Sequence, residues 1–312
     1  AGIFIPTFCF DELERMPAKH CSNCTEYGDC KICSCELEGE VSLLTACNTQ
    51  ARDGMVVWTE SEEVIKARTR ILNRMIATHP LDCMNCKKLG ACKLQKYCEI
   101  YGIKEAQYEI PYEQREKDMS NRFYYQELDK CIRCGKCVRT CRELVGVNAL
   151  AMAQKGDIAY VVPNGGNTMA ETACVSCGNC VSVCPVGALM PKSLHDFREW
   201  ETHKVRTTCA YCGVGCQIDF SVKDGVIVDA QPANGPSNQG LLCVKGKFAY
   251  EFINHEDRLK YPMIRKNGKL ERASWEEALD LVAGKILEVK ENYGPDAIAG
   301  FSSARTVNED SY

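Results

Sequence analysis

Two stretches decide the fold: Cys131-Ile132-Arg133-Cys134-Gly135-Lys136-Cys137-Val138-Arg139-Thr140-Cys141 and, 43 residues later, Cys174-Val175-Ser176-Cys177-Gly178-Asn179-Cys180-Val181-Ser182-Val183-Cys184. Both have the spacing C-x2-C-x2-C-x3-C, in which the fourth cysteine of each run binds the iron–sulfur cluster of the other run. The repeat predicts one four-iron site made of Cys131, Cys134, Cys137 and Cys184 and a second made of Cys174, Cys177, Cys180 and Cys141.

Two further cysteine groups flank the repeat. Cys209, Cys212, Cys216 and Cys243 supply four thiolates at a spacing typical of one four-iron cluster. Upstream, Cys83, Cys86 and Cys92 are one donor short of a set. Either His79 or Cys98 completes it, and spacing does not choose between them. An imidazole in place of a thiolate removes negative charge and should raise the reduction potential.

The N-terminal segment holds more cysteines than one two-iron cluster needs: Cys9, Cys21, Cys24, Cys30, Cys33, Cys35 and Cys47. One possible set begins Cys9-x11-Cys21-x2-Cys24. The other is Cys9-x20-Cys30-x2-Cys33-x13-Cys47. Spacing leaves this choice open, and the remaining thiols could bind zinc or stay free and buried.

Composition narrows the interpretation of the 23 cysteines in 312 residues. Tight C-x-x-C groups would make poor long-range disulfides, and structural zinc usually stands in isolated four-ligand sites. A formal net charge of −4, with no Lys/Arg run, argues against a nucleic-acid partner. No apolar stretch approaches the ~20 residues that a membrane span needs.

Local patterns predict a mixture of helices and strands. A strand is expected over 56–59, a helix over 61–78, a charged helical linker over 193–206, a hairpin around Asp224-Gly225 and a helix over 274–292. The apolar face of the 61–78 helix should consist of Val64, Ile65, Ile71, Leu72, Met75 and Ile76. Ser274 and Glu277 form a predicted capping box at the start of the last helix.

The first half of the chain resembles a module shared by the large iron–sulfur subunit of respiratory complex I and iron-only hydrogenases. The residues that carry this resemblance are Ile5-Pro6-Thr7-Phe8-Cys9, Gly28-Asp29-Cys30-Lys31-Ile32-Cys33 and Ala46-Cys47-Asn48-Thr49. It implies that Cys9, Cys30, Cys33 and Cys47 bind a two-iron cluster, and it leaves Cys21, Cys24 and Cys35 without assigned roles. His79-Pro80-x2-Cys83 resembles the His-ligated four-iron site of the same families, which implies His79 as a ligand and Cys98 as a spare.

The second half resembles the start of a molybdopterin-dependent formate dehydrogenase. The match lies in Cys209-Ala210-Tyr211-Cys212-Gly213-Val214-Gly215-Cys216, Leu242-Cys243-Val244-Lys245-Gly246-Lys247 and Ser302-Ser303-Ala304-Arg305. In that family the lysine after the fourth cysteine lies between the cluster and the pterin, and Lys245 matches it. Complex I homologues carry an arginine there.

The resemblance implies an α+β fold built as a string of iron–sulfur modules. These are a plant-type [2Fe–2S] domain over 1–60, N-terminally incomplete, a [4Fe–4S] domain with one histidine and three cysteine ligands over 61–127, a two-cluster ferredoxin domain over 128–192, and the first part of a molybdopterin oxidoreductase domain, with a [4Fe–4S] cluster, over 193–312. The expected total is one two-iron and four four-iron clusters.

The implied function is electron transfer within a cytoplasmic formate dehydrogenase that interconverts formate and CO2. A molybdenum or tungsten bis-pterin, bound mainly beyond residue 312, would do that chemistry, so no catalytic residue is expected in this chain. The expected partners are flavin NAD(P)-binding, ferredoxin-type or hydrogenase subunits. The alternative is a complex I-type subunit that only relays electrons.

Overall fold

The computed structural model describes residues 2–10, 30–111, 114–153, 159–193 and 195–306. Cys21 and Cys24 lie outside these residues. Helices and antiparallel sheets are mixed throughout, in agreement with the expected α+β class. Turns of 3-10 helix connect them at Ala46–Asn48, Cys83–Asn85, Leu128–Lys130, Met169–Glu171, Glu199–Glu201, Glu251–Ile253 and Pro295–Ala297.

A small sheet and a helix form the N-terminal unit. The strands β1 (Ser34–Leu37), β2 (Leu44–Thr45) and β3 (Val57–Trp58) pair in the order β2-β1-β3. Helix α1 (Glu62–Ile76) begins where the Ser61 hydroxyl accepts a hydrogen bond from the Val64 amide at 3.4 Å. The predicted strand and helix are therefore present, with bounds shifted by one or two residues.

The predicted apolar face of α1 is wrong at one residue. Ile65 is 40% exposed, whereas the fully buried Arg68 occupies the side of α1 that faces β1. The Arg68 guanidinium donates to the Ser34 carbonyl at 2.9 Å and to the Tyr101 hydroxyl at 2.7 Å. Hydrogen bonds of this kind let a charged residue take a core position that apolar periodicity assigns to a neighbour.

The cysteine repeat forms the centre of the fold. Helix α2 (Lys93–Ile100) leads through a connector to strand β4 (Tyr124–Gln126), then helix α3 (Lys136–Arg139), which continues as a π-helical turn over Thr140–Leu144. Strands β5 (Leu150–Ala153) and β6 (Tyr160–Pro163) pair with each other between the two halves of the repeat. Helix α4 (Asn179–Val183) and strand β7 (Leu189–Pro191) complete it, with β7 paired to β4.

The prediction of a helix over 193–206 is wrong. The sequence pattern there indicates a helix, but His203–Thr208 forms strand β8, the edge of a sheet of order β10-β9-β8 with β9 (Gln217–Lys223) and β10 (Val226–Pro232). The Arg206 guanidinium binds both carboxylate oxygens of Asp219 on β9, at 2.8 and 2.9 Å. Pairing with the next strand along the chain thus overrides the local helical pattern.

The last elements match the sequence pattern more closely. Asp224 and Gly225 take positive φ angles of 51° and 78° at the predicted turn between β9 and β10. Helix α5 (Val244–Phe248) precedes a hairpin of β11 (Met263–Lys266) and β12 (Lys269–Arg272), followed by helix α6 (Trp275–Tyr293). The Ser274 hydroxyl caps α6 by accepting from the Glu277 amide at 3.0 Å, whereas the Glu277 carboxylate binds Lys266.

Two apolar clusters hold these elements together. The larger one runs from Phe8 through α1, α2 and the cysteine repeat to Leu189, so the first three expected modules share one core. The smaller one contains Cys209, Ile218, Ala230, Leu242 and Tyr250. Among the described residues, no helix combines the length and apolarity needed to cross a membrane.

Candidate iron–sulfur sites

The first site lies between the two halves of the repeat. The thiols of Cys131, Cys134, Cys137 and Cys184 line a cavity whose other walls are almost entirely apolar. The loop reaches this shape because Arg133 and Gly135 both take positive φ angles, 60° and 67°, before α3 begins. The structure thus brings together the four cysteines that spacing assigned to one cluster.

The second site repeats this geometry. A second cavity is lined by Cys141, Cys174, Cys177 and Cys180. Ser176 and Gly178 take positive φ angles of 55° and 75°, at the positions that correspond to the first loop. Each cavity therefore receives three thiols from one half of the repeat and one from the other half.

Hydrogen bonds point at the sulfurs in both cavities. Three backbone amides donate to a cysteine sulfur. The Arg133 amide donates to Cys131 at 3.4 Å, the Ser176 amide to Cys174 at 3.3 Å and the Ala149 amide to Cys141 at 3.2 Å. Such bonds stabilise negative charge on sulfur and are one of the means by which proteins set cluster potentials.

The chemistry of these buried thiols fits a metal cluster. Burial raises the pKa of Cys131 to about 11 and that of Cys134 to about 12, so without a metal both would stay protonated near neutral pH. A coordinating metal supplies the positive charge that removes the proton from a thiol. All cysteines of the described ranges are free thiols, so those ranges contain no disulfide.

The Cys209 site lies at the end of the β8–β10 sheet. The Cys209 amide donates to the Cys216 carbonyl at 2.8 Å, which closes the loop. Burial, followed by the charges of Cys243 and Cys212, raises the pKa of the Cys209 thiol. All four predicted cysteines thus lie together, with Cys243 on the exposed side.

Lys245 lies beside this site. It is exposed, and its ammonium lies 5.8 Å from the centre of the Tyr211 ring. Tyr211 precedes Cys212 in the loop, and Lys245 and Cys243 are both exposed. This position suits contact with a group bound outside the described residues.

Both candidates for the fourth ligand of the Cys83 group are buried or half-buried, and His79 shares the charged neighbour Lys130 with Cys83. The Nδ1 atom of His79 is buried and has no hydrogen-bond partner among the described residues. Burial, followed by the charge of Lys130, lowers the pKa of His79 to about 4, which leaves a neutral imidazole able to bind a metal. Burial and the charges of Cys92 and Cys83 raise the pKa of Cys98 to about 11.

The N-terminal site gathers the second of the two cysteine sets left open by spacing. The Sγ atoms of Cys9 and Cys30 lie 3.3 Å apart, and the Cys47 thiol hydrogen-bonds with those of Cys33 and Cys9. Lys31 takes a positive φ of 51° between the paired cysteines, as Arg133 does in the repeat. Cys35 points elsewhere, 3.9 Å from the Arg68 guanidinium.

In the described part of the chain, no group of three or more His, Cys, Asp or Glu side chains is arranged to hold a single metal ion. The thiols of the repeat instead line two mainly apolar cavities.

Sequence reasoning missed several residues that support the sites. The Tyr124 hydroxyl lies 3.3 Å from the Cys174 sulfur, and the fully buried Arg139 donates to the Cys9 carbonyl. Asn179 binds the backbone of Leu242. A comparison of the two halves of the repeat would have marked Arg139 and Asn179, because Ser182 and Lys136 stand at the equivalent positions.

Four protein families match consecutive parts of the chain. Residues 68–107 match the NADH-ubiquinone oxidoreductase-G iron-sulfur binding region, and residues 130–188 match the 4Fe-4S dicluster domain. Residues 202–255 match the molybdopterin oxidoreductase Fe4S4 domain, and residues 258–312 match molybdopterin oxidoreductase. The predicted passage from iron–sulfur modules into a molybdopterin oxidoreductase domain is confirmed.

Relatives along the whole chain carry different names. The alpha subunit of an NADPH-Fe(3+) oxidoreductase from Geobacter sulfurreducens is 34% identical over all of this chain. A subunit of an NADH-quinone oxidoreductase from Rhizobium meliloti is 38% identical over 99% of it, and a Staphylococcus aureus protein provisionally named a formate dehydrogenase is 30% identical over 99%. The chain spans about a third of the length of these relatives, with 34–35% of each covered.

A solved structure shares part of the fold. A chain of an NAD+-reducing [NiFe]-hydrogenase in the H2-reduced state aligns with 61% of this chain and 76% of its own length, at a TM-score of 0.53 and 27% identity. The family matches, these relatives and this likeness show similarity to iron–sulfur proteins of the molybdopterin oxidoreductase and complex I-like groups.

Proposed function

We propose that this chain is the electron-transfer portion of a metal-dependent formate dehydrogenase, joining a molybdenum or tungsten bis-pterin site to a partner subunit. The observation that carries the proposal is the crossed arrangement of the two thiol-lined cavities beside the Cys209 site. The proposed ligands are the twenty residues predicted from the sequence, with His79 as the fourth ligand of the Cys83 group. The proposed domains are those expected over 1–60, 61–127, 128–192 and 193–312.

The contacts between sites support an order for the electron path. Asn179, next to Cys180, binds Leu242, next to Cys243. Cys180 and Cys137 in turn lie close enough for one to raise the pKa of the other. The path would therefore run from the Cys209 site, through the Cys174 and Cys131 sites in turn.

The two N-terminal sites both adjoin the Cys131 site. The charge of Cys9 contributes to the raised pKa of Cys134, and Arg139 joins α3 to the Cys9 carbonyl. A Cβ atom on Gly187 would lie 2.7 Å from the Cys86 sulfur, so that group reaches the turn after Cys184. We therefore place the two-iron cluster on the main path and the His79 cluster on a branch.

When bound, the pterin-held metal supplies the exchange of two electrons with formate. Within this chain, Lys245 would lie between that group and the Cys209 site, where its exposed ammonium could bind the pterin. The buried backbone donors of the repeat hold the sulfurs in place and tune their potentials. The partner would be a flavin NAD(P)-binding, ferredoxin-type or hydrogenase subunit.

A complex I-type relay subunit is the second candidate, and the 38% identity to an NADH-quinone oxidoreductase subunit favours it. Formate-dependent dye reduction by the anaerobically purified full-length polypeptide separates the two functions, because only a dehydrogenase reduces the dye without partner subunits. An active polypeptide supports the dehydrogenase, and a fully loaded but inactive one supports the relay.

Iron and sulfide quantification tests the electron-transfer role itself. One two-iron and four four-iron clusters give about 18 irons per chain, with one two-iron EPR signal after reduction. About 14 irons would remove one proposed four-iron site. A colourless protein without iron would contradict the proposal.

A further inference from the structure

Asn179 joins two of the candidate sites through its side chain. It is 5% exposed and immediately precedes Cys180. Its Nδ2 atom donates to the Leu242 carbonyl at 2.9 Å, and its Oδ1 atom accepts from the Leu242 amide at 3.0 Å. Leu242 in turn immediately precedes Cys243. The Asn179 side chain, next to the proposed ligand Cys180, thus binds both the amide and the carbonyl of Leu242, next to the proposed ligand Cys243.

The loop that carries Asn179 packs closely against α5 at the neighbouring Gly178. A Cβ atom on Gly178 would lie 2.6 Å from the Phe248 ring and 2.7 Å from Cγ of Lys247. The Phe248 ring stacks on Phe123, with centroids 5.2 Å apart and planes at 14°. The Cys180 loop therefore packs directly on α5, and the two hydrogen bonds of Asn179 are buried, where a low local dielectric strengthens them.

The equivalent position in the other half of the repeat shows what asparagine adds. Lys136 stands there, and a lysine ammonium has no acceptor, so it could not bind a backbone amide and a carbonyl together. An amide side chain offers one donor and one acceptor in a single plane. The asparagine therefore occurs in the half of the repeat that faces the Cys209 site.

We propose that Asn179 is a positioning residue that fixes the Cys209 site against the Cys174 site and carries electrons between them. The path runs from Cys243 to Leu242, across the two hydrogen bonds, and through Asn179 to Cys180. One electron leaves the reduced cluster at the Cys209 site and enters the oxidised cluster at the Cys174 site, and no proton needs to move. This inference rests on the proposed electron-transfer function.

Two substitutions and one control test the role of Asn179. Asn179→Leu keeps the approximate volume but removes both hydrogen bonds. Asn179→Asp keeps the acceptor for the Leu242 amide but loses the donor. Ser182→Ala is the matched control, since Ser182 lies on the same helix, two residues from Cys180, and its hydroxyl only binds the Gly178 carbonyl at 3.3 Å.

Hydrogen exchange of the Leu242 amide tests the positioning role and does not depend on activity. In Asn179→Leu the Leu242 amide should exchange about tenfold faster than in wild type, because it loses a hydrogen bond worth ~1.4 kcal/mol. Asn179→Asp should keep most of the protection, and Ser182→Ala all of it. Wild-type protection in Asn179→Leu would overturn the inference.

Rapid freeze-quench EPR of the cluster-loaded protein tests the electron path. After mixing with less than one equivalent of dithionite, the first electron should equilibrate between the two sites more slowly in Asn179→Leu than in wild type or Ser182→Ala, at unchanged iron content. Wild-type kinetics in that variant would overturn the bridging role. If Asn179→Leu fails to load iron, slowed equilibration in Asn179→Asp supports the role and wild-type kinetics there overturn it.

The inference and the proposed function fail in different ways. A wild-type protein without iron would overturn the proposed function and the electron path together, while amide exchange would still report on the Asn179 contact. A loaded wild-type protein with an unprotected Leu242 amide would overturn the inference alone.

Discussion

The 131–141 half of the repeat and the 174–184 half hold their thiols on loops of the same backbone conformation, but the two loops contact different neighbours. Both place a positive-φ residue before the second cysteine and a positive-φ glycine after it. In the first half, Arg139 reaches the Cys9 carbonyl, whereas in the second half Asn179 and Gly178 contact the segment after Cys209. The cysteines thus define the cavities, and the residues between them define which site each cavity adjoins.

The largest expected effect tests the crossing of the two halves. Cys184→Ser should remove the cluster held by Cys131, Cys134 and Cys137, with a loss of about four irons, and leave the cluster of the 174–180 thiols in place. Cys141→Ser should do the reverse. EPR of the reduced variants, with iron quantification, identifies which signal is lost.

A result in which Cys184→Ser removes the signal assigned to the 174–180 thiols would contradict the crossing. It would mean that each half binds its own cluster, and the shared cavities would need another explanation.

Arg139 should matter more than its counterpart Ser182. Arg139→Met leaves the buried Cys9 carbonyl without a charged donor, a loss of roughly 1.5–3 kcal/mol in the free energy of unfolding. The loss of a buried positive charge should also lower the potential of the two-iron cluster. Denaturant unfolding and EPR redox titration measure both effects, and equal losses in Ser182→Ala would show that the two halves do not differ in this respect.

Substitution of Gly178 and of Gly135 distinguishes the cost of backbone strain from the cost of a steric contact. Gly178→Ala and Gly135→Ala each place a side chain at positive φ, at a cost of about 1–2 kcal/mol. Only Gly178 faces a rigid ring at 2.6 Å, since the nearest atom to Gly135 is the flexible end of Arg139 at 3.3 Å. Gly178→Ala should therefore lose a further ~1–3 kcal/mol in denaturant unfolding. Equal losses in the free energy of unfolding for the two variants would mean that the Phe248 ring moves aside at little cost.

The smallest expected effect concerns Tyr124, whose hydroxyl bonds to the Cys174 sulfur in the second half. Tyr124→Phe removes a hydrogen bond worth about 1 kcal/mol, which for a one-electron couple is roughly 40 mV. The potential of the Cys174 site should fall by about that amount in an EPR redox titration. The Cys131 site serves as the internal control, and a shift of equal size there would point to a general loosening of the repeat.

Features encoded by local spacing were predictable from the sequence. The sequence interval between cysteines places each sulfur relative to the next, so the two crossed sets follow from the repeat alone. The hairpin at Asp224-Gly225 and the cap at Ser274 are equally local, because the residues that cause them are adjacent to the structure they form.

Features that depend on distant partners were not predictable. Strand β8 forms because β9, which begins at Gln217 outside the 193–206 segment, offers it a pairing edge. The burial of Arg68 depends on hydrogen bonds to Ser34 and Tyr101, which each lie more than thirty residues away and leave no trace in the pattern of α1. The contact of Arg139 with Cys9 spans 130 residues and leaves no periodic trace in either segment.

The segment before β8 also bears on how the molecule is put together. Arg198 donates to the backbone carbonyls of Cys86 and Met84, and the Trp200 ring lies against Gly90, so this segment covers the loop that carries Cys83 and Cys92. During synthesis that loop emerges more than a hundred residues before its cover. If this loop holds the proposed cluster, the loop is synthesised well before residues 198–200 can dock on it.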